Sequence, residues 1–236
     1  FYPVSKAVYG SGFEQHIDSL TALDSLVTIV GNDPGVFTRL ADKSAFFSLL
    51  SSLQIPYPPV SFTLPEDGKA WLLKPMQGQG GVGIKRYRAG DIVEPSVYWQ
   101  KFQDGIPHSV LFLADGKQCQ LIGFNRQWTT SLNHCSEFVF SGIINSTDLS
   151  SDIKKQLCCW IKTLVCELSL KGLNSLDFVQ FGSTSFVLEI NPRPPASMQL
   201  YDEDLFARHI KACEGELIDF RVVYVGFTAY QIVFAQ

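Results

Sequence analysis

Two short segments constrain this chain more than any others: Gly172-Leu173-Asn174-Ser175-Leu176-Asp177-Phe178-Val179 and Phe186-Val187-Leu188-Glu189-Ile190-Asn191-Pro192-Arg193. Both alternate with the period of a strand, and Gly182-Ser183-Thr184 between them suits a three-residue hairpin turn. That turn sets Phe181 opposite Ser185, and the same register carries Asp177 to a place facing Glu189. Side chains alternate across a strand, so Asn191 joins Glu189 on one face. Leu176, Phe178, Phe186, Leu188 and Ile190 then share the other face, and this sorting of apolar from acidic residues supports the register.

Two carboxylates directly opposite each other destabilise a hairpin by up to about 1 kcal/mol, and by more when partly buried. A divalent cation between them removes the repulsion. Two carboxylates and an amide oxygen are hard ligands, suited to Mg²⁺ or Mn²⁺ and poor for Zn²⁺ or copper. Mg²⁺ commonly fills its remaining positions with water and phosphate oxygens, so Asp177, Glu189 and Asn191 point towards a nucleotide. An exposed acidic sheet face would not account for the Asn191-Pro192-Arg193-Pro194-Pro195 sequel.

A second feature lies upstream. Trp71-Leu72-Leu73-Lys74 reads as a strand and leads into Gln77-Gly78-Gln79-Gly80-Gly81-Val82-Gly83, followed by strand-like Ile84-Lys85-Arg86-Tyr87. Glycines let a backbone come close to a ligand and aim its N–H groups at phosphate oxygens. The loop lacks the GK[ST] ending of a P-loop, no helix follows it, and Lys74 precedes it. A hairpin lid over a polyphosphate fits that order; a flexible surface hairpin fits the glycines alone equally well.

The 236 residues suffice for one large domain or two small ones, and 46% hydrophobic content excludes a disordered chain. A net charge of −4 without a long basic run argues against a nucleic-acid scaffold. No apolar run approaches the roughly 20 residues of a membrane helix. Six cysteines form no CxxC pair, which fits a reduced, cytoplasmic chain, and no signal peptide is visible. Leu26–Asn32 reads as a buried strand and Arg39–Leu53 as one helix, with Leu40, Phe46, Phe47, Leu50 and Leu53 on one side. Strands are expected at 98–102, 109–114 and 120–125. The clearest helix spans 152–170, capped by Ser150 or Ser151 and closed by Gly172, and a further helix is expected near 203–214. The order of elements suggests an α+β fold.

Together these residues resemble the ATP-grasp superfamily, most closely its carboligases related to biotin carboxylase. The likeness runs from Gly31-Asn32 and Asp42-Lys43 through Leu73-Lys74-Pro75 and the glycine loop to Asp177 and Glu189–Arg193. It implies an ATP-grasp fold in which two α+β lobes clamp ATP. Residues 1–37 would be the end of a Rossmann-like unit, 38–60 a helix and linker, 61–103 the small lobe with its lid, and 104–236 the large lobe. By resemblance, Lys43 and Lys74 contact phosphates, Gly80, Gly81 and Gly83 form the lid, and Gln100, Lys101, Phe102 and Gln103 meet adenine and ribose. Asp177, Glu189 and Asn191 hold Mg²⁺ or Mn²⁺, and Arg193 steadies the transferred phosphoryl group. Gln100 and Asp177 stand where many relatives carry glutamate.

The implied activity is an ATP-dependent carboxylate–amine ligase acting through an acyl phosphate on small-molecule substrates. A tyramine–glutamate-ligase-like step is one version, and many relatives are homodimers. A carboxylase using carboxyphosphate and a non-catalytic nucleotide-binding regulator are the alternatives. His108 and His134 are candidate general bases, although a lone histidine is more often a packed or surface residue. Arg126 is a candidate for binding the acceptor carboxylate or the triphosphate, and a solvated loop arginine fits equally well. Trp99, Trp128 and Trp160 read as core residues.

Overall fold

A parallel β-α-β unit opens the described part of the chain, in a computed structural model that describes residues 4–66, 70–91, 93, 95–201, 204–218 and 226–234. Strand β1 (Lys6–Val8), helix α1 (Ile17–Asp24) and strand β2 (Thr28–Val30) make this unit, and helix α2 (Pro34–Ala41) continues through residue 37. Its small core gathers Tyr9, Leu20 and Phe37. The single helix expected over 39–53 is two. Asp42 takes an extended backbone conformation that ends α2, and its carboxylate accepts from Ala45 N at 2.9 Å to cap α3 (Lys43–Ser52).

A four-stranded antiparallel sheet follows: β3 (Val60–Ser61), β4 (Trp71–Pro75), β5 (Lys85–Arg86) and β6 (Val97–Lys101), in the order β3-β6-β4-β5. Alternation turns Trp71, Leu73 and Trp99 into a local core, while Leu72, Lys74, Tyr98 and Gln100 face the opposite way. The chain then enters β7 (Ile106–Asp115), β8 (Cys119–Thr130) and β9 (Val139–Ile144), passes through helix α4 (Ser151–Leu168), and returns as β10 (Lys171–Phe181) and β11 (Thr184–Asn191). Helix α5 (Leu205–Cys213) and β12 (Ala229–Gln231) complete the order, and residue 203 of the helix expected near 203–214 lies outside the described residues. The large sheet runs β11-β10-β7-β8-β9-β12, its described pairings antiparallel.

Both faces of β7 are covered, which explains its unbroken apolar run. Val110, Phe112 and Ala114 join α3 and α4 in the main core, with Phe46, Phe47, Leu157, Ile161 and Leu164. Leu111 and Leu113 point the other way, under Leu205 and Ala212 of α5. Ser150 caps α4 by accepting from Ile153 N at 3.3 Å. The left-handed residue ending α4 is Ser169, at φ 55°, and not Gly172. Gly172 lies inside β10 at φ 66°, where a side chain would run into His209 and Cys213. No helix among the described residues is long and apolar enough to cross a membrane.

The hairpin turn is shorter than expected. Phe181 pairs with Thr184, so the loop is Gly182-Ser183, with Gly182 at φ 56°. A bulge beside Asp177/Phe178 leaves Leu188 as the extra residue and restores Asp177 opposite Glu189. Val187 therefore enters the core in place of Phe186 and Leu188, beside Leu176, Phe178 and Ile190. Leu188 turns to the opposite face.

His209 couples α5 to β2 of the N-terminal unit and to β10 of the large sheet, and predicts a pH dependence. Its Nδ1 accepts from Leu173 N at 2.9 Å, which leaves Nε2 to donate to the Val30 carbonyl at 3.2 Å. This neutral ring is buried, and desolvation lowers its pKa below the usual value despite the Val30 contact. A depressed folded pKa means the unfolded chain binds the proton more readily, so this stabilisation is fully present above the unfolded value of about 6.5 and is lost as pH falls from there through the lower folded pKa. Denaturant melts at pH 7.5 and 5.5 should show a larger loss for the wild type than for His209→Gln. Equal losses in the two proteins would contradict it.

Candidate active site

A cleft of about 520 Å³ lies between the four-stranded and six-stranded sheets. On the small-sheet side, Lys74 and Gln100 project from β4 and β6, and Lys74 Nζ donates to Gln100 Oε1 at 3.0 Å. Tyr98, directly across from Lys74, places its ring 5.9 Å from the same ammonium. Burial lowers the Lys74 pKa, and the negative charges of Glu189 and Asp177 act against that fall. Burial likewise raises the Tyr98 hydroxyl, a rise that Lys43 opposes and Glu189 reinforces.

Asp177 and Glu189 face the cleft from β10 and β11. Desolvation, then the charge of Glu189, pushes the Asp177 carboxyl up to about 8; its bond from Asn191 and the charge of Arg193 pull the other way. Asn191 Nδ2 donates to Asp177 Oδ2 at 3.1 Å and lies 3.3 Å from Ser175 Oγ. Arg193 donates to Asn191 Oδ1 at 3.4 Å. Asp177 Oδ1 is buried without a hydrogen-bond partner. An orphaned carboxylate oxygen beside a second carboxylate is a costly arrangement that a hard cation would relieve. Two carboxylates and an amide therefore fit Mg²⁺ or Mn²⁺. As placed, Asn191 turns its N–H towards Asp177, and a half-turn of the amide plane brings its oxygen there instead.

The glycine loop is held down across the cleft. Gly80 O accepts from Phe140 N at 2.9 Å, Ile84 O accepts from Glu137 N at 2.8 Å, and Gly83 N donates to Ser136 Oγ at 3.1 Å. Gly81, at φ 76°, lies so close to the Phe138 carbonyl that a β-carbon there would overlap it. Arg86 strengthens this seam: its guanidinium sits 4.1 Å from the Phe102 ring centroid and 3.8 Å from Glu137.

Lys43, Lys74, Gly80, Gly81, Gln100, Lys101, Phe102, Gln103, Asp177, Glu189, Asn191 and Arg193 all line this one cleft. Gly83 sits behind the lining, tied to Ser136. His108 is on the other face of β7, stacked on Phe178 with Nδ1 bonded to the Ile106 carbonyl, so it does not reach the cleft. Arg126 is exposed and likewise off the lining, as is His134. Trp99 is buried, whereas Trp128 and Trp160 are half-buried. Sequence reasoning missed Ser109, Gln127, Thr129, Ser175, Ser197 and Tyr230, which complete the walls. Period two from Asp177 marks Ser175, but the rest become neighbours only when the sheet order is known.

The sequence profile of the ATP-grasp domain matches residues 40–197, two thirds of the chain. The chain belongs to the ATP-grasp family. Among curated relatives, the carbamoyl phosphate synthase large chain of Clostridium botulinum is 23% identical over 188 residues, covering 71% of this chain and 17% of that protein. Campylobacter jejuni biotin carboxylase, solved as its β-γ-ATP complex, superposes with a TM-score of 0.77 at 15% identity, over 96% of this chain and 58% of that one. The biotin carboxylase domain dimer of Hydrogenobacter thermophilus 2-oxoglutarate carboxylase, solved with MgADP, ADP and bicarbonate, gives 0.77 at 14% identity over the same shares. The ATP-grasp chain described here thus spans under a fifth of its curated relative and under two thirds of these structures.

Proposed function

We propose that this chain is the core of an ATP-dependent ligase that activates a carboxylate as an acyl phosphate and joins it to an amine. The observation that carries this reading is the Asp177–Glu189 pair facing a cleft that also holds Lys74, Lys43 and Arg193. Within it, residues 1–37 end a Rossmann-like unit, 38–60 are helix and linker, 61–103 the small lobe and 104–236 the large lobe. Gln100–Gln103 receive adenine and ribose, the glycine loop including Gly83 covers the phosphates, and Asp177, Glu189 and Asn191 hold Mg²⁺ or Mn²⁺. The ion would neutralise phosphate charge during transfer.

The protein's own groups do the rest. A carboxylate and a terminal phosphate repel, and Lys43, Lys74 and Arg193 supply the positive charge that lets them meet. Arg193 suits the transferring group because its planar fork binds two oxygens at once. Burial beside Tyr98 and Gln100 leaves Lys74 little freedom to move, so its charge is preorganised. The seam from Gly80 to Ile84 shuts water out of an intermediate that water would hydrolyse. A tyramine–glutamate-ligase-like step belongs to this reading as its narrowest version. A homodimer, the assembly of the Hydrogenobacter domain, belongs to it as well.

The likeness to biotin carboxylases favours one second reading, in which bicarbonate is the activated acid. Protein incubated with Mg-ATP and pools of amino acids and amines should release phosphate only with a particular acid–amine pair, with a new product mass. Phosphate release that depends on bicarbonate alone moves the assignment to carboxylation. Tight ATP binding without turnover makes the chain a regulator and overturns both.

A further inference from the structure

Cross-strand pairing of β11 ends at Asn191 opposite Ser175, so the Pro192–Arg193 segment leaves the sheet next to the metal-binding side chains. Proline has no N–H, so the carbonyl is the only polar backbone group Pro192 offers to anchor this exit. Its partners come from the far N-terminal unit. Asn32 Nδ2 donates to Pro192 O at 2.9 Å, and the Tyr9 hydroxyl lies 3.3 Å from the same oxygen.

Asn32 is itself held on every side. Its Oδ1 accepts from Lys171 N at 2.7 Å, its Nδ2 also reaches Lys171 O at 3.0 Å and Asn174 Oδ1 at 2.8 Å, and its carbonyl accepts from Tyr9 at 2.8 Å. Gly31 permits this, because the Tyr9 ring occupies the space a side chain would need. Asn32 is 1% exposed and, like Tyr9, is not part of the cleft wall. Nothing in the cleft chemistry requires these bonds, yet two of them end on the residue between Asn191 and Arg193.

We propose that Asn32, supported by Tyr9, is a positioning residue that fixes the Asn191–Arg193 segment, so that cation affinity in the cleft depends on this contact from the N-terminal part of the chain. The inference rests on the reading of Asp177, Glu189 and Asn191 as the metal site. An outer contact of this kind sets where a ligand points, and its loss in other proteins costs about 10- to 100-fold in metal affinity.

Mn²⁺ binding in the presence of ADP, followed by electron paramagnetic resonance, tests it without any acceptor substrate. Asn32→Ala should weaken Mn²⁺ by roughly tenfold, and Tyr9→Phe by less in the same direction. Leu20→Ala, which loosens the core of the same unit without touching Pro192, should keep wild-type affinity at temperatures where it is folded. Folded Asn32→Ala with wild-type affinity overturns the inference and leaves the metal site standing. Equal loss in Leu20→Ala also overturns it, as a general softening. If Asn32→Ala does not fold, an unchanged affinity in Tyr9→Phe overturns it. Absence of Mn²⁺ binding in the wild type removes the metal site and the inference together.

Discussion

Glu189→Gln should retain the fold and lose Mg-dependent ATP turnover by about 10²–10³-fold, the range for removing one preorganised group that stabilises transition-state charge, because the cation Glu189 would hold supplies that stabilisation. Gln fills the same volume, so the β10–β11 pairing survives. It also removes the negative charge that, after burial, does most to push the Asp177 carboxyl up. The metal-free variant should therefore melt at or above the wild-type temperature. The combination separates a cation role from a structural one, because a structural glutamate would lose stability along with activity. Calorimetric melts with and without Mn²⁺, paired with phosphate release, read both quantities. Normal turnover in Glu189→Gln would remove the metal role, and a melting point several degrees lower would make the pair structural.

Gly81→Val is the second large effect, and it falls on substrate use. Valine at φ 76° is strained, and its β-carbon would overlap the Phe138 carbonyl, so the loop can no longer settle on the 136–140 segment. The neighbouring bonds from Phe140 N to Gly80 O and from Glu137 N to Ile84 O would be lost with it. These bonds lie at a rim where Gly80 and Val82 are exposed, and the core beneath is unaffected. KM for ATP should rise about tenfold or more, the equivalent of about 1.4 kcal/mol of lost closure. The melting temperature should fall by only a few degrees, as one or two kcal/mol implies for a chain of this size. A large fall in melting temperature with unchanged kinetics would make the loop a structural clasp.

A three-residue turn and an unbroken ladder predict Asp177 opposite Glu189; the structure reaches that pair through a two-residue turn and a bulge. The two departures cancel because each shifts the register by one residue. They do not cancel above the bulge, where Val187 takes the buried place expected for Phe186 and Leu188. Turn lengths and bulges depend on backbone twist and on what packs against each face, so period-two counting cannot locate them. Val139–Ile144 forms strand β9, which is not among the strands expected from the sequence although the segment is rich in β-branched and aromatic residues.

Local chemistry in the sequence was enough to mark helix α4, the β10–β11 hairpin and the face its acids share. Alternation along one strand, a capping serine or aspartate, and a glycine run each act over a few residues, and neighbours in sequence carry them. The tertiary fold alone decided what lies beside those acids: Lys74 from another sheet, the loop seam onto Phe138, and Asn32 reaching Pro192 across 160 positions of chain. It also turned His108 and Arg126 away from the cleft, since one residue's step along a strand reverses a side chain. Contacts of this kind depend on sheet order and on the packing of faces, and no short-range pattern encodes either.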